Sequence, residues 1–94
     1  MTRKVNQVPG PRSLELAQAK AEHVSDAVGV GLPIFIEKAS GSVLTDVDGN
    51  DYLDFASGIG VLTVGHANEK AVAAIVEQAQ KFTHTLFTVS PYEL

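Results

Sequence analysis

The feature that most restricts this chain is a reversal. Asp46-Val47-Asp48-Gly49-Asn50-Asp51 stands between two short runs of strand-forming residues. Gly and Asn tolerate positive φ, and Asp bonds nearby backbone, so Asp48-Gly49-Asn50 predicts a tight turn. On one side, Ile34-Phe35-Ile36 is β-branched and aromatic, Ser40-Gly41 interrupts, and Val43-Leu44-Thr45 resumes. On the other, Asp51-Tyr52-Leu53-Asp54-Phe55 alternates polar and apolar with period two. The pattern predicts a three-stranded antiparallel meander from Pro33 to Phe55. The acidic cluster does not read as a calcium loop. Its sixth position is Asp51 where Gly is required, and its twelfth is Ser57 where a bidentate Glu is required.

Helices are predicted on both sides of the meander. Pro9-Gly10-Pro11 reads as non-helical, which makes residues 1–12 an extended arm. A helix is predicted to open at Ser13, with its hydroxyl as cap and Glu15 against the positive helix end. Leu14, Ala17, Ala21, Val24 and Val28 form its stripe, and Gly29, Gly31 and Pro33 end it. A second helix is predicted from about Asn68 to Phe82, capped by Asn68, with Val72, Ile75, Val76, Ala79 and Phe82 on one face. Thr83 to Val89 reads as extended. Ser90-Pro91-Tyr92-Glu93 reads as a capping box that opens another helix. The fold class expected is therefore an α+β segment of helix, small meander and helix. The opened helix leads to the expectation that residues 13–94 are part of a larger unit.

Composition fits that expectation. Of 94 residues 45% are hydrophobic but only 6% aromatic, which is thin material for an independent core. Seven Lys+Arg against eleven Asp+Glu give a net charge of −4, so the basic footprint of a nucleic-acid binder is missing. Cysteine is absent, which excludes disulfides and thiolate chemistry. No apolar run reaches the roughly 18 residues of a membrane span, and no secretory signal is visible, so a cytoplasmic location is expected.

The remaining chemistry centres on one loop. Gly60 and Gly65 have the spacing of a phosphate loop, but His66 stands where Lys is needed. Gly58 and Gly60 begin a dinucleotide fingerprint whose third glycine would fall at Thr63. Gly58, Gly60 and Gly65 are thus read as residues that let the backbone turn or approach something closely. The His66 ring is expected to hydrogen-bond backbone and fix the turn. His23, His66 and His84 lack ligand spacing, so no metal site is expected. Lys20, Lys38, Lys70 and Lys81 lie among polar residues, not in the desolvated setting a Schiff-base lysine needs. No catalytic and no cofactor-binding residue is expected within this chain.

Asp46 to Asn50, Tyr52 to Phe55, Ser57-Gly58-Ile59 and Gly65-His66 with the Ala/Val-rich helix together resemble the N-terminal region of class III pyridoxal-phosphate-dependent aminotransferases. Pro9-Gly10-Pro11-Arg12-Ser13, Phe82 to Phe87 and Pro91-Tyr92-Glu93 are similar to the bacterial members that act on 4-aminobutyrate. The resemblance implies the N-terminal part of a fold-type I enzyme, with residues 13–94 in its small domain. It implies a parent that transfers the amino group of 4-aminobutyrate to 2-oxoglutarate with pyridoxal 5'-phosphate, as a homodimer. It implies that Ile59 and Thr88 contact substrate, and that the cofactor machinery lies after Leu94, so this chain alone is inactive. Ornithine, acetylornithine and β-alanine remain open as amine donors, and so does a non-catalytic binding module.

Overall fold

The computed structural model describes residues 6–93. Three strands form one antiparallel sheet in the order β1-β2-β3: β1 is Ile36–Ser40, β2 is Val43–Asp46 and β3 is Asp51–Leu53. This is the predicted meander. Ser40 pairs with Val43 across the first reversal, and Thr45 pairs with Asp51 across the second. The second reversal closes through the Gly49 amide to the Asp46 carbonyl at 3.0 Å, with Gly49 at φ 82°. β1 carries one irregularity between Ile36 and Lys38, where an extra residue bulges out of the ladder.

The first helix spans Pro11–His23, not the predicted Ser13 start and Val28 end. Pro11 is compatible with the first helical position, where a missing amide leaves no bond unmade. Gly10 is the N-cap, and no side chain of its own caps the helix. Ser13 is therefore inside the first turn and does not cap. At the other end Val24 is extended, with φ −116° and ψ 134°. Ser25 then turns the chain, its hydroxyl accepting from the Ala27 amide at 3.3 Å. Serine that competes locally for backbone groups ends a helix where an apolar stripe alone would continue it.

The second helix spans Glu69–Lys81 with Asn68 as N-cap, as predicted; the Asn68 side chain accepts from the Ala71 amide at 3.2 Å. Phe82 follows in extended conformation. No helix occurs over 90–93 among the described residues. The Ser90 carbonyl accepts from the Thr85 hydroxyl at 3.0 Å. A first helical bond to that carbonyl would need the amide of residue 94, outside the described residues. Tyr92 instead packs edge-on against Phe82 and Phe87, with ring centroids 5.1 and 5.8 Å away.

Among the described residues no apolar side chain is buried. The fully buried side chains are Ser13, Asp46 and Asn50. The interior is thus a polar knot at the β2-β3 reversal, and the apolar helix stripes lie open. Val72, Ile75 and Val76 on the second helix are all exposed.

Candidate functional site

The polar knot is built around Asp46. Its Oδ1 accepts from the Asp48 amide at 2.9 Å and the Asn50 amide at 2.8 Å. Its Oδ2 accepts from Asn50 Nδ2 at 3.0 Å and the Tyr52 hydroxyl at 2.7 Å. Burial by itself raises the Asp46 carboxyl; the bonds from Tyr52, Asn50 and Asp48 outweigh it and hold the group below its ordinary value. Burial pushes the Tyr52 hydroxyl up to about 12, and the bond to Asp46 adds to this by disfavouring the phenolate. Asn50 then reaches the N-terminal arm, its Oδ1 accepting from the Asn6 amide at 2.8 Å. All four acceptor directions of Asp46 are used internally, which makes this cluster a scaffold and not a metal cage.

The glycine-containing loop leaves this scaffold at Asp54. The Asp54 amide donates to the Ser42 carbonyl at 2.9 Å, which docks the loop on the β1-β2 reversal. Ser57, Gly58, Ile59 and Gly60 then have φ of 47°, 61°, 63° and 75°. These four residues make one left-handed turn, closed by the Gly60 amide to the Ala56 carbonyl at 2.8 Å and the Val61 amide to the Ser57 carbonyl at 3.0 Å. Gly58 and Gly60 adopt such angles freely. Ser57 and Ile59 do not; the left-handed region costs an L-residue about 1–2 kcal/mol, and a β-branched residue there is a genuine outlier. The Ile59 side chain is 91% exposed, so its own burial does not compensate.

What holds the turn is Asp54. Its Oδ1 accepts from the Ser57 amide at 2.8 Å, and its Oδ2 lies 2.6 Å from His66 Nε2. The His66 bond, then the Ser57 amide, lower the Asp54 carboxyl against the opposing effect of burial. An ionised carboxylate only accepts, so Nε2 carries the proton in this pair. The His66 ring therefore bonds a carboxylate, not the backbone expected from sequence; a charged oxygen is the stronger acceptor. The His66 backbone separately makes two 2.9 Å bonds with Gly41, amide to carbonyl each way. Gly65 permits that approach. A Cβ on it would lie 3.0–3.2 Å from three Gly41 backbone atoms, and its φ is 80°.

Gly58, Gly60, Gly65 and His66 thus converge on one loop with Ile59. Thr88 sits in a turn where the Val89 amide bonds the Leu86 carbonyl at 2.8 Å, and among the described residues no hydrogen bond joins it to the loop. Two open grooves, about 360 and 410 Å³, are lined by neither Ile59 nor Thr88. Lys38, Lys70 and Lys81 are exposed, and Lys20 is half-buried at the edge of an open groove. Lys81 pairs with Glu77 at 2.7 Å. No lysine among the described residues is desolvated as an amine nucleophile must be.

Sequence reasoning missed Asp54. A local signal existed, because an Asp three residues before Ser57 at a glycine-rich turn has the geometry of a cap. Its second partner, twelve residues on, had none.

Comparison with known proteins places the geometry. The family described as Aminotransferase class-III matches residues 24–94. The 4-aminobutyrate aminotransferase of Mycobacterium tuberculosis is 46% identical over 91 residues, 97% of this chain and 20% of that protein. The 4-aminobutyrate aminotransferase of Escherichia coli is 44% identical over 79 residues, 84% of this chain and 18% of that protein. The 5-aminovalerate aminotransferase of Pseudomonas putida is 45% identical over 78 residues, 83% and 18% of the two chains. Among solved structures, acetylornithine aminotransferase from Elizabethkingia anophelis superposes with TM-score 0.72 at 32% identity, over 78% of this chain and 19% of that one. The chain spans about a fifth of the length of the relatives it matches. With residues 24–94 matched by the family and 97% of its length aligned to a member at 46% identity, the chain belongs to the class III aminotransferases.

Proposed function

We propose that this chain is the N-terminal segment of an enzyme that moves the amino group of 4-aminobutyrate to 2-oxoglutarate. In this reading residues 13–94 belong to the small domain. The observation that carries it is the exposed Ile59, held on a strained turn where it gains nothing by packing within this chain. A compact apolar wall of this kind suits the slender methylene chain of an ω-amino acid. The identity to two 4-aminobutyrate aminotransferases supports that donor. Thr88 joins Ile59 in the pocket only once further segments enclose both.

Pyridoxal 5'-phosphate supplies the electron sink for amino transfer in the parent enzyme. The residues of this chain do not hold it, and the 94-residue chain alone is inactive. The apolar faces of both helices are covered by the remainder of the same polypeptide and by a homodimer partner. In the same reading the enzyme is cytoplasmic. Among the described residues no helix is long and apolar enough to cross a membrane. The 5-aminovalerate relative favours a second reading, in which the donor is one methylene longer. A donor panel on the complete enzyme, with 2-oxoglutarate as acceptor, separates these. Highest kcat/KM for 4-aminobutyrate over 5-aminovalerate, ornithine and β-alanine is expected. Preference for another donor would replace the substrate, and transamination by the 94-residue chain alone would refute its inactivity.

A further inference from the structure

We propose that Asp54 and His66 are positioning residues that set donor selectivity, by clamping the left-handed turn that presents Ile59. This rests on the reading of Ile59 as a pocket wall. The anchors form one continuous series. Gly41 in the β1-β2 reversal holds the His66 backbone through two 2.9 Å bonds. The His66 ring holds Asp54 at 2.6 Å, and Asp54 holds the Ser57 amide at 2.8 Å, at the first left-handed residue. Two residues later comes Ile59. Asp54 is 7% exposed and His66 21%, so the pair is screened from water far better than a surface ion pair. A surface loop with two L-residues at positive φ relaxes to ordinary angles unless something prevents it. Among the described residues Asp54 is the only side chain that hydrogen-bonds within the 56–61 stretch. Loss of either partner therefore releases the turn and moves Ile59.

A fall in total activity would not distinguish positioning from poor folding, but a ratio does. The ratio of kcat/KM for 4-aminobutyrate to that for 5-aminovalerate is independent of how much enzyme is active. One methylene in an apolar pocket is worth roughly tenfold or more, so a displaced wall is visible in it. In the complete enzyme, His66→Ala and Asp54→Ala are expected to shift the ratio by about fivefold or more. His66→Gln, which keeps a donor for Asp54, is expected to restore it to within about twofold of wild type. Should the alanine variants not accumulate, Asp54→Asn serves: it keeps an acceptor for Ser57 but loses the charge, and a shift of about twofold or more is expected. Ile59→Ala is measured alongside. A ratio unmoved by Ile59→Ala defeats the pocket-wall reading itself. A ratio moved by Ile59→Ala but unmoved by the Asp54 and His66 variants overturns the clamp alone.

Discussion

Asp48 is 35 residues from Ser13 in sequence and 2.9 Å from its amide in space. Its other oxygen accepts the Arg12 amide at 2.7 Å. A carboxylate from the β2-β3 reversal thus caps the first helix, in place of a capping side chain from the helix's own sequence. It satisfies two of the donors every helix start leaves open and sits at the positive end of the helix. Asp48→Ala is expected to loosen the first turn while sparing the meander. Amide exchange at Ser13 and Leu14 should quicken roughly threefold to thirtyfold, with exchange across the β2-β3 ladder nearly unchanged. Equal acceleration in both would mean that the cap is not a local device.

Gly10 has an ordinary φ of −80°, yet it has no room for a side chain. A Cβ there would lie 2.3 Å from Asp48 Cγ. Gly10→Ala is therefore expected to reproduce the exchange pattern of Asp48→Ala, because the carboxylate must leave the helix start. The double variant should add little, since both changes remove one interaction. Additive effects in that cycle would contradict the contact.

These two residues show what the sequence could and could not reveal. The β2-β3 reversal was legible because its determinants, Asp48-Gly49-Asn50, are adjacent. The second helix was legible because Asn68 caps a helix that begins one residue later. The start of the first helix was misplaced because its cap is donated from a distant turn, and no local pattern reports that. The same holds at the loop. Gly58, Gly60, Gly65 and His66 stood out by residue type, whereas Asp54 acquires its role through partners three and twelve residues away. Left-handed Ser57 and Ile59 run against intrinsic preference, so sequence pattern argues against the conformation they take.

Three carboxylates, Asp46, Asp48 and Asp54, are held below the unfolded value of 3.8. A group whose folded pKa is depressed contributes stability that is present above its unfolded pKa and lost as pH falls through the folded one. Their contribution is complete near neutrality, begins to fall as pH drops below about 4 and is gone only below the depressed folded values. Tyr52 works in the opposite sense. Its pKa is raised to about 12, so its contribution is present below pH about 10 and is lost as pH rises through 12. Following phenolate absorbance, the component that Tyr52→Phe removes should titrate near pH 12. Removal of a component near pH 10 instead would show that the Tyr52-Asp46 bond is absent in solution. Tyr52→Phe should also cost about 1.5–3 kcal/mol, the range for a hydrogen bond to a charged group.

Ile59 makes the opposite trade from a core residue. It is β-branched, sits at φ 63° and is 91% exposed, so the turn would be more stable with a residue that accepts those angles. Ile59→Gly is expected to relieve about 1–2 kcal/mol of backbone strain, less a small entropic cost of the added flexibility in the unfolded chain. In the complete enzyme the melting temperature should hold or rise slightly while kcat/KM for 4-aminobutyrate falls roughly tenfold. Ile59→Asn separates the two contributions, because Asn tolerates the left-handed region but presents a polar surface to the methylene chain. It should keep the stability and lose the activity. A lower melting temperature in both variants would mean that Ile59 is there for packing, and the strain would then have a structural and not a functional cause.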